Sequence, residues 1–133
     1  MPKGRKVKDH MTMGVAQVPM TATVRDAIRE MVDVGVHGIA VVSDAGELVG
    51  VVEEEDFMRL ILDRWGEWDE ILGASVEEVM NPEPPVVEPE DPLIRALEVM
   101  REHDATRAFV VGCEGNPVGV ISVTDVLSAL TSP

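Results

Sequence analysis

The apolar positions of the chain change period several times, and each change marks an element. Val24, Ala27, Ile28 and Met31 fall at i, i+3, i+4 and i+7, on one face of a helix. Thr23 precedes that stripe with Asp26 three residues on, a capping-box arrangement, and Gly35 suits the helix stop. The period then shortens. "GIAVVS" and "LVGVVE" are β-rich runs on either side of "DAGE", a turn signal. A second helical segment, "DFMRLILDRW", follows, and a short extended run, "AQVPM", lies ahead of the first helix. The pattern predicts β-α-β-β-α.

The same order then returns. Leu93, Ala96, Leu97 and Met100 form the stripe, with Asp91 as its predicted N-cap and Pro92 at the first helical position. "AFVVG" and "PVGVIS" flank the turn "CEGN", "PPVVEP" leads in, and "DVLSALT" closes. A displacement of 69 positions lays Val7 on Val76, Met11 on Met80, Met31 on Met100, Gly46 on Gly115 and Asp56 on Asp125. The chain therefore divides into a basic tail 1–6, a repeat 7–61, a connector 62–75 and a repeat 76–130. Pro82, Pro84, Pro85 and Pro89 stiffen the approach to the second repeat and exclude helix there. One such unit leaves an apolar sheet face that it cannot cover alone. Two copies packed face to face, with pseudo-twofold symmetry, would cover it, so the expected class is α+β.

Composition narrows the function. Of 133 residues, 45% are apolar and 3% aromatic, which gives an aliphatic core with few platforms for stacking nucleobases. The net charge of −14 repels phosphate backbones, so nucleic-acid binding is not expected. Lys3, Arg5, Lys6 and Lys8 gather at the N-terminus, as a solvated tail or a short basic tether to a partner. Cys113 stands alone, so no intrachain disulfide forms and a reducing cytoplasm is expected. No apolar run follows the basic start, so neither a signal peptide nor a membrane span is expected. His10, His37 and His103 have no ligand spacing with Cys113, and no metal site is expected. Met31 and Met100 read as core; Trp65 and Trp68 would cover the core under a loop or meet a partner. With no nucleophile–base pairing, no P-loop and no length outside the repeats, an enzyme is not expected.

The repeat ends in "GVISVTD", Gly119–Asp125, and in "GVVEEED", Gly50–Asp56. A β-α-β-β-α unit closing on Gly-h-x-[Ser/Thr]-x-[Ser/Thr]-Asp, with h apolar, resembles the cystathionine β-synthase (CBS) domain, and two in tandem resemble a CBS pair, or Bateman module. The resemblance spans about residues 7–130. It implies a regulatory module that binds AMP, ADP, ATP or S-adenosylmethionine in clefts between the repeats, dimerises into a disc and signals to a protein partner.

"GVISVTD" has its own chemistry. Gly119 permits close backbone approach. In a strand running to about residue 123, Val120, Ser122 and Thr124 would share one side, with Thr124 as the N-cap of the last helix and Asp125 just inside. A helix start seats phosphate, and an ionised Asp125 accepts both hydroxyls of a ribose. The resemblance adds Thr106 and Arg107 facing the phosphates, and an adenine wall from Thr12, Met13, Val36 and His37. The same residues also serve as an ordinary helix start with no ligand.

In "GVVEEED" the weaker second site keeps Val51 and Asp56, but Glu55 stands for the N-cap hydroxyl and Glu53 for the other. A carboxylate about 4 Å from a phosphate charge costs about 4 kcal/mol at an effective dielectric near 20, or roughly a thousandfold in affinity. This loop is expected to reject nucleotide phosphates. A neutral nucleoside, the S-adenosylmethionine sulfonium, a divalent cation on Glu53–Asp56, or solvent alone remain its alternatives. The expected function is a stand-alone sensor of an adenosine-containing ligand; an interaction module that binds nothing small fits the altered loop as well.

Overall fold

The computed structural model describes residues 5–131. In chain order the elements are β1 (Thr12–Met13), β2 (Gln17–Pro19), α1 (Val24–Val34), β3 (Gly38–Val42), β4 (Leu48–Glu53), α2 (Glu54–Asp63), α3 (Trp68–Gly73), β5 (Val86–Val87), α4 (Leu93–Glu102), β6 (Arg107–Val111), β7 (Pro117–Ser122) and α5 (Val123–Thr131). Single 3-10 turns, Val7–Asp9 and Val76–Glu78, lead into each repeat. The fold is mixed α+β and carries the β-α-β-β-α order twice.

The compact units are not the sequence repeats. One is continuous, Ala16–Glu83; the other is discontinuous and joins the residues up to Val15 to those from Pro84 onward. The continuous unit holds a sheet in the order β2-β3-β4, with β2 parallel and β4 antiparallel to β3. The discontinuous unit repeats it as β5-β6-β7 and adds β1 antiparallel to β7. Each unit thus takes its lead-in segment from the other repeat. Val7, fully buried, packs with Val87, Leu93, Val110, Ile121 and Val126. Val76, fully buried as well, packs with Val18, Val24, Val41, Val52 and Ile71. Burying a valine side chain is worth about 1.5–3 kcal/mol, so these two residues anchor the exchanged segments.

The N-terminal segment is not a free tail where it is described. Val7 N–H donates to the Asp91 carbonyl at 2.8 Å, and Lys8 N–H to the Pro89 carbonyl at 3.0 Å. The Lys6 and Lys8 ammonium groups both pair with the Glu90 carboxylate, Lys8 at 2.7 Å. These hydrogen bonds hold the Glu90 carboxyl down at about 2 and raise Lys8 above its ordinary value. Lys3 lies outside the described residues.

Helix starts and stops follow the sequence in α1. Thr23 caps it, its hydroxyl accepting from Asp26 N–H at 3.2 Å while Asp26 Oδ2 accepts from Thr23 N–H at 3.0 Å. That backbone bond holds the Asp26 carboxyl below its ordinary range. Gly35 ends the helix at φ 79°, in the left-handed region. At α4 the expectation is corrected by one residue. Pro92 is the N-cap, in an extended conformation, and the Asp91 carboxylate accepts from Glu88 N–H at 2.9 Å instead of capping. The connector is not all loop, since α3 lies in it and buries Ile71. Trp65 and Trp68 do not cover the core. They are 71% and 44% exposed and meet edge to face, with centroids 4.7 Å apart.

Candidate functional site

The β7–α5 junction is built by a switch of hydrogen-bonding partner. β7 pairs with β6 as far as Ser122, which lies opposite Arg107. The next N–H, that of Val123, donates to the Thr106 carbonyl at 3.0 Å, and the chain turns into α5. Ser122, not Thr124, therefore caps the helix. Its hydroxyl accepts from Asp125 N–H at 3.1 Å, and its own N–H donates to Asp125 Oδ2 at 2.8 Å. The strand alternation stops there, so Val120 and Ser122 share a strand face while Thr124 sits exposed in the first turn of α5. The cap uses Oδ2 of Asp125; a carboxylate has acceptor positions on both oxygens, and Oδ1 extends the site.

β1 flanks this junction. Thr12 lies opposite Val120 and Met13 opposite Gly119. A Cβ on Gly119 would come within 2.7 Å of the Thr12 carbonyl oxygen, so this close approach requires glycine. Thr12, Met13, Thr106, Arg107, Val120, Ser122, Thr124 and Asp125 thus all belong to the discontinuous unit, on β1, β6, β7 and the start of α5, with Thr106 just ahead of β6. Val36 and His37 belong to the continuous unit, where His37 Nδ1 lies 3.1 Å from Glu54 Oε2.

The twin junction, β4–α2, has the same backbone and different chemistry. Glu54 N–H donates to the His37 carbonyl at 3.0 Å, the counterpart of Val123 on Thr106. Glu53, not Glu55, holds the N-cap position, and its N–H donates to Asp56 Oδ2 at 2.8 Å. Asp56 carries a partner at its other oxygen, since Oδ1 accepts from Arg59 Nη2 at 2.6 Å, and a ribose hydroxyl there would share the carboxylate with that ion pair. The residue opposite Glu53 is Gly38, where the twin has Arg107. Val51 bridges Asn81, the place that β1 takes in the other unit. Glu54, Glu55 and Asp56 fill the first turn of α2, against Asp125 alone in α5. Their charges complement the helix dipole and oppose an anionic ligand.

Two contributors escaped the motif reading. Arg59 lies beyond the heptapeptide, and Gly38 draws no notice by itself. The 69-residue displacement does reveal both, since it places Gly38 on Arg107 and Arg59 on Ser128. Among the described residues no group of three or more His, Cys, Asp or Glu could hold a metal ion, and no helix is long and apolar enough to cross a membrane.

The sequence model described as "CBS domain" matches residues 7–63 and 76–132. The chain belongs to the CBS domain family. This CBS pair is 29% identical to CBSX2, solved in complex with AMP, with a TM-score of 0.79 over 96% of each chain. It is 26% identical to a CBS domain protein from Pyrobaculum aerophilum complexed with AMP, with a TM-score of 0.80 over 96% of this chain and 100% of that one. Among curated proteins, the arabinose 5-phosphate isomerase KdsD of Pseudomonas aeruginosa is 28% identical over 93% of this chain. An uncharacterised protein of Methanocaldococcus jannaschii is 29% identical over 81% of it. The chain spans 37% of the length of the first and 25% of the second.

Proposed function

We propose that this CBS pair is a regulatory module whose discontinuous unit binds an adenosine-containing ligand, AMP, ADP or ATP, and relays binding to a partner protein. Ribose hydroxyls donate to Asp125 Oδ1. The phosphate sits at the mouth of α5, where the positive end of the helix dipole and the Arg107 guanidinium neutralise it. The base lies against Val120 and the β1 segment Thr12–Met13. One observation carries this reading: Arg107 and Ser122 stand opposite each other beside a helix start that holds a single acid. The AMP complexes of two relatives support the ligand class. A homodimer is the proposed working form, checked by light scattering.

Calorimetric titration with AMP, ADP, ATP and S-adenosylmethionine tests the reading. Heat with the nucleotides is expected; no heat with any of the four at near-millimolar ligand sinks it. A second reading, an assembly module without a small ligand, is favoured by the acidic junction at Glu53. It predicts that Arg107→Ala with Asp125→Asn leaves the cellular activity unchanged.

A further inference from the structure

The two strand pairs run in one register, and the difference between them is concentrated at one cross-strand pair. Ser122 faces Arg107; Glu53 faces Gly38. A Cβ built on Gly38 would meet Glu53 Oε2 at 2.6 Å, with Glu53 Cδ and Oε1 at 3.0 Å, and these are its three nearest neighbours. The Glu53 carboxylate therefore lies against the β3 backbone, over the Cα from which its twin's cation departs. The two sequence changes form one device. Glycine removes the cation and makes a seat, and glutamate fills that seat with an anion.

We infer that Glu53, seated over Gly38, is a built-in plug that closes the β4–α2 junction to nucleotide phosphates, so that each chain takes a single nucleotide. A phosphate approaching α2 has to displace a like charge and finds no guanidinium at position 38. A ribose would also meet competition at Asp56, which already accepts from Glu53 N–H on one oxygen and from Arg59 on the other. Ser128, at the position equivalent to Arg59, cannot form that ion pair with Asp125. A plain helix cap would account for an acid at position 53, but not for the glycine beneath it. This inference concerns the β4–α2 junction and uses the proposed nucleotide site in the discontinuous unit only as its reference.

The test grafts the open junction onto the closed one and counts ligands. AMP is titrated calorimetrically into the wild type and into the folded Gly38→Arg/Glu53→Ser/Arg59→Ser variant, with folding checked by circular dichroism. The wild type is expected to bind about one AMP per chain and the variant about two, because binding at independent sites adds. Two equal sites in the wild type, or one site in the folded variant, overturns the plug. A wild type that binds none and a variant that binds one would uphold the plug while refuting the proposed nucleotide site. Should the triple variant not fold, Glu53→Ser/Arg59→Ser leaves Gly38 in place and is expected to show a second, weaker event. Its absence from that folded protein overturns the plug.

Discussion

The β7–α5 and β4–α2 junctions are two uses of one backbone. In both, a strand ends opposite the start of its neighbour, the next N–H finds a loop carbonyl, and an aspartate three residues after the cap accepts from the cap's N–H. What differs is the charge, in the first helical turn, where Glu54 and Glu55 stand for Val123 and Thr124, and at three further side-chain positions. Arg107, Ser122 and Ser128 on one side become Gly38, Glu53 and Arg59 on the other. The fold needs the aspartate and the cap position in both copies. It leaves the residue opposite the cap free to vary, an arginine in one copy and a glycine in the other.

The largest expected effect tests what the two units share. Val7→Asp and Val76→Asp each bury an unpaired charge and should each cost about 3–5 kcal/mol, read as a fall in the thermal midpoint. If Val7→Asp melts like the wild type, the exchanged segment is not anchored as described.

Next comes the contrast itself. Arg107→Ala removes a charge-assisted contact worth about 1.5–3 kcal/mol, so AMP affinity should fall roughly tenfold to a hundredfold. Gly38→Ala, whose added Cβ would have the Glu53 carboxylate as its nearest neighbour, should leave that affinity unchanged. Equal losses in the two variants would erase the distinction between the junctions.

Smaller still is the capping difference. Ser122→Ala loses a hydroxyl cap and should cost about 1 kcal/mol in urea denaturation. Glutamate is not among the preferred N-cap residues, so Glu53→Ala should cost less in the same assay.

The smallest effect is a pH dependence confined to the discontinuous unit. Lys6 and Lys8 lower the folded Glu90 carboxyl from 4.5 to about 2. A depressed carboxylate stabilises the fold above its unfolded value and loses that contribution as pH falls through the folded one. The gap in thermal midpoint between wild type and Glu90→Gln should hold from neutral pH down to about pH 5 and shrink toward about pH 2. A gap that widens on acidification contradicts the clasp.

Much of this was legible in the sequence, because the informative signals were local. The Thr23–Asp26 cap, the Gly35 stop and the strand runs around "DAGE" and "CEGN" depend on neighbours within a few residues. The errors fell where distant backbone decides. Ser122 rather than Thr124 caps α5 because the Thr106 carbonyl captures Val123 N–H and ends the strand early. The exchange of Val7 and Val76 between units is equally invisible, since both repeats have the same apolar pattern and either core would accept either valine. In the Asp56–Arg59 pair, Arg59 lies one helical turn on, outside the heptapeptide. The Gly38–Arg107 difference was present in the displacement all along, but its meaning needed the strand register that sets each residue opposite a cap.

The most direct measurement is a crystal structure of the wild-type protein soaked with AMP. Density is expected beside Ser122 and Asp125, with the phosphate toward Arg107, and no nucleotide beside Glu53. A nucleotide beside Glu53 with the Ser122 junction empty would contradict the account.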